Sequence, residues 1–203
     1  MTYSQIEQDL WVIKTTNYKK NGYFLDIGAY DGIHFSNSYL LETEHDWTGL
    51  LVEANPNNFE LLKNNRPNSQ NVMVAVSDYC GFIKINDISM SSKIVLENTN
   101  KSYNIESTTF QELFIKYNVP QIIDYMSLDI EGYESKALSK FPFDKYVCNL
   151  ITVEHNMYLT GSKNKYDIQN ILLNNNYYIV KENIEHNNNP FEDWYAHKSF
   201  INN

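Results

Sequence analysis

Short apolar runs of β type alternate with stretches of helical type along almost the whole 203-residue chain, and this alternation limits the possible folds more than any other feature. A strand that returns to the same sheet in parallel needs a crossover connection, usually a helix. Repeated βα units therefore build a mostly parallel sheet with helices on both faces. Tyr23–Ile27, Thr48–Glu53 and Val72–Val76 read as the first three strands, starting about 25 residues apart, which is the length of one βα unit. Ile33–Glu44 reads as the first crossover helix. Asn55-Pro56 supplies an N-cap and a proline at the first helical position, for a second helix running to about Asn65. Asp124–Ile130 and Leu150–Glu154 follow as the fourth and fifth parallel strands, with helices at Tyr133–Phe141 and near Tyr166–Asn174. Tyr177–Val180 and Trp194–Phe200 read as two closing strands.

The middle of the chain interrupts this rhythm. Gly81–Ile85 alternates like an extra strand or hairpin arm, whereas Ser89–Tyr103 is polar and irregular, so residues 86–106 are expected to form a lid or loop. Thr109-x-x-Glu112 is a capping box that opens a helix with Phe110, Leu113, Phe114 and Tyr117 on one face. Residues 1–21 are expected to form an N-terminal helical segment, and residues 1–203 a single domain with about seven strands.

The net charge of −9, with Arg66 as the only arginine and no basic block, disfavours a nucleic-acid partner, because backbone phosphates are held by clustered Lys and Arg. No apolar run approaches the roughly 20 residues of a membrane helix. The first residues lack the basic-then-apolar order of a signal peptide. Cys80 and Cys148 have no metal-knuckle or redox spacing. A reducing, cytoplasmic setting is expected. The abundance of Asn, Lys, Ile and Tyr follows AT-rich codons, as in an AT-rich bacterium or a large DNA virus, where the setting would be the host cytoplasm.

The candidate chemistry lies where strands end. Phe24-Leu25-Asp26-Ile27-Gly28-Ala29-Tyr30-Asp31-Gly32 is a strand entering a glycine turn, and two of the chain's 7 glycines sit in it. Glycine has no Cβ and lets a ligand approach the backbone, and the helix N-terminus that follows offers N–H groups. Glu53 ends the next strand, where an acidic residue can accept the ribose hydroxyls of an adenosine. Ser77-Asp78 follows the third strand, where a carboxylate can accept the exocyclic amine of adenine. Ser127-Leu128-Asp129-Ile130-Glu131-Gly132-Tyr133-Glu134 ends the fourth. If the strand order reverses between the first and fourth strands, Asp26 and Asp129 share the ligand crevice. Val153-Glu154-His155-Asn156 ends the fifth strand on the same rim, with His155 as a candidate base and His34 able to approach from the glycine turn. Asp129, Glu131, Glu154 and His155 also form an alternative ligand set for Mg²⁺ or Mn²⁺.

These residues resemble the FkbM family of methyltransferases. The likeness rests on Phe24–Ala29 with Asp31-Gly32, on Val52-Glu53-Ala54-Asn55-Pro56, on Ala75-Val76-Ser77-Asp78 with Gly81, and above all on the Asp-x-Glu-Gly-x-Glu run from Asp129 to Glu134. It implies a Rossmann-like class I methyltransferase fold, S-adenosylmethionine as donor, and O-methylation of a sugar, glycan or natural-product-like hydroxyl. Ser127 stands where many members carry a basic residue. On this reading Gly28, Ala29, Tyr30, Asp31 and Gly32 surround the methionine end of the donor, and Asp26 is also at the cofactor site. Glu53 holds the ribose and Asp78 the adenine, with Ala54, Asn55 and Ser77 also at the cofactor site. Asp129 faces donor or acceptor, with His155 or Glu131 as base. Three rivals stand beside it. A nicotinamide-dependent oxidoreductase is disfavoured because the turn reads G-x-x-x-G rather than G-x-G-x-x-G. A non-catalytic nucleoside-binding module has no need of so many clustered acids. RNA ribose methylation is disfavoured by the charge.

Overall fold

The computed structural model describes residues 1–86 and 102–201. Most of the segment read as a lid, residues 87–101, lies outside the described residues. Seven strands form the main sheet. β1 (Tyr23–Ile27), β2 (Thr48–Glu53), β3 (Gln70–Met73), β7 (Ile122–Leu128) and β8 (Val147–Glu154) are parallel, and β9 (Tyr177–His186) and β10 (Asn189–His197) add an antiparallel edge. The order is β3-β2-β1-β7-β8-β10-β9, so the winding reverses between β1 and β7, as the sequence reading requires. β4 (Ala75–Val76), β5 (Gly81–Asn86) and β6 (Ser102–Thr108) form a separate three-stranded sheet.

Period-two alternation sends the parallel strands' side chains to both faces. Leu25, Ile27, Leu50 and Val52 pack with Phe110, Phe114, Leu138 and Leu172 on one face. Phe24, Leu51, Tyr125 and Leu150 pack with Val12, Leu40, Leu41 and Leu62 on the other. The helices that cover these faces are α1 (Gln8–Thr15), α2 (Tyr39–His45), α3 (Pro56–Asn65), α4 (Phe110–Tyr117), α5 (Glu134–Leu138) and α7 (Lys163–Asn174). Two single-turn helices, α6 (Met157–Thr160) and α8 (Lys198–Ile201), complete the set. No helix among the described residues is long and apolar enough to cross a membrane.

Both caps read from the sequence are present. The Asn55 side chain accepts from the Asn57 N–H at 2.8 Å, and the Thr109 side chain from the Glu112 N–H at 3.4 Å.

Several elements differ from expectation. The first crossover helix begins at Tyr39 instead of Ile33, because the Asp31 carboxylate takes the N–H groups of Ile33 and His34 at 2.9 Å each and Phe35 has φ +55°. Such side-chain-to-backbone bonds compete with helix formation. The third strand leaves the main sheet after Met73, and Ala75–Val76 pairs with β6. The N-terminal helix spans only Gln8–Thr15 of residues 1–21, and Lys198–Phe200 is helical where a strand was expected. Arg66, the sole arginine, is 1% exposed and stacked over Phe24 and Tyr39, donating to Glu42, to the Gly32 carbonyl and to Ser38.

Candidate active site

The parallel strands end in a cavity of about 390 Å³ at the β1/β7 reversal. Its floor is the turn after β1. The Gly28 and Ala29 N–H groups bond back to the Val52 carbonyl, and the Asp129 N–H donates to the Ile27 carbonyl at 2.9 Å. Those bonds bring the two strand ends together so closely that a Cβ on Gly28 would lie 1.7 Å from the Asp129 carbonyl oxygen. Gly28 also has φ +93°, so glycine is required there twice over.

Glu53 closes one end. It is 7% exposed, its Oε2 accepts from the Tyr30 N–H at 2.9 Å, and its Oε1 accepts from the Asn55 N–H at 2.7 Å. The Asn58 side chain and the Ala54 N–H donate to the same carboxylate. Burial pushes the Glu53 pKa up to about 7 against the pull of these backbone donors. Asp26, 4% exposed, accepts from the Ser38 hydroxyl at 2.5 Å. Burial raises its pKa too, opposed by Ser38 and the charge of Arg66.

At the other end Asp129, Glu131 and Glu154 each place one oxygen within 4.8 Å of the others. Asp129 and Glu154 therefore sit side by side as desolvated acids. Burial first, and the neighbouring acids second, drive both pKa values well above the carboxylate range. Glu154 also accepts from the Asn156 side-chain amide. The loop from Asp129 to Gly132 is clamped from behind by Glu134, which takes the N–H groups of Ile130 and Gly132 at 3.0 Å each and the Asn164 amide at 2.7 Å.

The cavity wall thus gathers Asp26, Gly28, Ala29, Tyr30, Glu53 and Ala54 from the first half of the chain, and Asp129, Glu131 and Glu154 from the second. His34 lines it as well. Other candidates lie off the wall. Asp31 caps its own turn and pairs with His34, Gly32 backs onto Leu62 and Arg66, and Asn55 caps α3 while feeding its N–H to Glu53.

Ser77 and Asp78 are carried past the wall when the chain leaves the main sheet, and the apolar Val74, Ala75, Val76 and Ile85 line the cavity on that side. His155 does not line it either. Successive strand residues face opposite sides, so between Glu154 and Asn156 its ring points into the protein. There it is 1% exposed, takes the Met157 N–H at 3.2 Å on Nδ1, and sets Nε2 3.4 Å from Asp193. It is accordingly absent from the acidic trio.

Among the polar wall residues that the sequence did not reveal are Gln5, Gln8 and Glu192. Gln8 donates to Glu192 at 3.2 Å across 184 positions, a pairing that no local pattern signals.

Residues 26–179 match the methyltransferase FkbM domain family. No curated protein matches. Among solved structures, the chain is similar to the FkbM methyltransferase of Methylobacillus flagellatus, with a TM-score of 0.60 and 14% identity. That alignment covers 87% of this chain and 44% of the other, so the chain spans less than half of that protein. An rRNA methylase from Streptococcus thermophilus has a TM-score of 0.56 and 9% identity, over 97% of this chain and 98% of its own. TrmK of M. capricolum, in complex with S-adenosyl-homocysteine, has a TM-score of 0.51 and 13% identity, over 93% of this chain and 68% of its own. At these identities the likenesses show a shared fold.

Proposed function

Since the chain belongs to the FkbM methyltransferase family, we propose that it uses S-adenosylmethionine to methylate a hydroxyl of a small sugar-, glycan- or natural-product-like acceptor. The observation that carries this reading is the single cavity that joins the Gly28 turn, the doubly anchored Glu53 and the Asp129–Glu154 pair. Its residues suit the donor. The Gly28–Tyr30 turn leaves backbone room for the methionine end, and Asp26 is a buried acid beside it. Glu53 is preset by two N–H donors to receive ribose hydroxyls, and the apolar Val74–Val76 side with Ile85 fits an adenine face. This apolar side takes the adenine role that Asp78 holds in the sequence reading.

When bound, the donor supplies an electrophilic methyl group on sulfur and leaves as a neutral thioether. The chain's task is then to align the acceptor oxygen and remove its proton. Asp129 is the carboxylate whose backbone touches the donor turn, so we assign it as proton acceptor, with Glu131 next to it. His155, facing Asp193 inside the protein, is left to hold the start of α6.

A thermal-melt series tests the reading. A ligand at about 100 times its dissociation constant adds about 2.7 kcal/mol, which is a rise of several degrees in a domain of this size. S-adenosylmethionine and S-adenosylhomocysteine should both raise the midpoint and NAD should not. A rise with NAD alone, or with none of them, would overturn it.

A further inference from the structure

The cavity is a methyl-transfer site on the grounds of its turn, its fold and its family; the charge of its wall bears on what it accepts. Six carboxylates line it, and among the described lining residues none is Lys or Arg. Two of the acids are held face to face. Glu192 of β10 is the register partner of Glu154 of β8, both are buried, and both line the cavity. Like charges directly opposite on paired strands destabilise a sheet. Neither acid has a lysine or arginine among the hydrogen bonds it receives: Glu192 accepts from Gln8 and Trp194, and Glu154 accepts from Asn156. Tyr158 and Phe35, about half exposed, stand on the same wall with Phe191. Aromatic faces beside carboxylates are the surroundings an organic cation prefers.

Resting on the methyltransferase reading, we propose that the acceptor carries a protonated amine, as an amino sugar or amino alcohol does, and that Glu154 and Glu192 receive it. An ammonium group in the cavity between the two carboxylates supplies donors to both and removes their repulsion. A phosphate or carboxylate on the acceptor would meet the same wall as a repulsive surface.

Calorimetric titration of the full chain separates this proposal from the one beneath it. S-adenosylhomocysteine alone tests the donor site. Glucosamine, glucose and glucose 6-phosphate are then titrated into the chain saturated with S-adenosylhomocysteine, or into the bare chain if that ligand fails to bind. Glucosamine should bind at least about tenfold more tightly than glucose, glucose 6-phosphate should not bind, and Glu192→Gln should narrow the amine preference. Equal affinities, a preference for the phosphate, or no binding of glucosamine would overturn the proposal. So would tight binding of Mg²⁺ or Mn²⁺ that abolishes the amine preference, since the acids would then serve a metal ion. Loss of S-adenosylhomocysteine binding with the amine preference intact would sink only the donor reading.

Discussion

Replacing Glu53 by Gln should change how the stability of the ligand-free protein depends on pH. Burial lifts the Glu53 pKa from its ordinary value of 4.5 to about 7. The folded state therefore holds a proton that the unfolded state has released throughout that interval. Its contribution runs opposite to that of a salt-bridged acid: stability is highest below the unfolded value and declines as pH rises through the folded one. At about 1.4 kcal/mol per pH decade, the wild type should lose about 2.5 kcal/mol through Glu53 alone between about pH 5 and pH 8. For a chain of this size that is a fall in Tm of roughly 5–10 °C. Glu192, whose pKa is likewise pushed up to about 7, and the other buried acids titrate in both proteins, so the difference between the two profiles isolates Glu53. Gln also turns one amide N–H₂ toward a backbone donor, which costs about 1–3 kcal/mol at every pH. The slope, not the absolute stability, is therefore the quantity to read. Urea denaturation of both proteins across that range, without ligand, is the assay. Parallel profiles would refute the claim that Glu53 is a desolvated acid. With S-adenosylhomocysteine present, ribose hydroxyls would donate to the ionised carboxylate. Wild-type affinity should then fall as pH drops through about 7, and Glu53→Gln affinity should stay flat.

Three further outcomes are expected. Gly28→Ala forces a Cβ into the Asp129 carbonyl at a positive-φ position; it should destabilise by more than about 2 kcal/mol and abolish S-adenosylhomocysteine binding, as read by denaturation and calorimetry. Asp129→Asn should lower methyl transfer by about 10²- to 10⁴-fold with an acceptor the wild type uses, while donor binding stays within a few-fold. His155→Gln should cost stability, because Asp193 and Lys165 lie buried behind it, yet the pH profile of any residual turnover should keep its shape; a lost low-pH limb would return the base role to His155.

The βα rhythm, the Gly28 turn and Glu53 at the end of the second strand were legible in the residues, because each is a local matter of side-chain period, backbone freedom or strand position. The two caps at Asn55 and Thr109 were legible for the same reason. So was the sharing of one crevice by Asp26 and Asp129, once a reversal of strand order was granted.

Other assignments needed the assembled sheet. His155 sits one residue from Glu154 in the chain, but strand alternation turns it into the protein, and only the packing of β10 behind it shows that its partner is Asp193. Asp78 follows a strand end that joins a different sheet, a choice made by pairing with β6 more than 25 residues onward. Gln8 and Glu192 meet across nearly the whole chain, and the facing of Glu154 and Glu192 is a matter of register between distant strands. By itself the sequence determined the order of elements, the glycine at the tight turn and the supply of acids, since these depend on neighbours along the chain. Which acids share a wall, which histidine leaves it and where the sole arginine is spent were decided only by tertiary structure, because burial and charge proximity are set by residues far away in the chain.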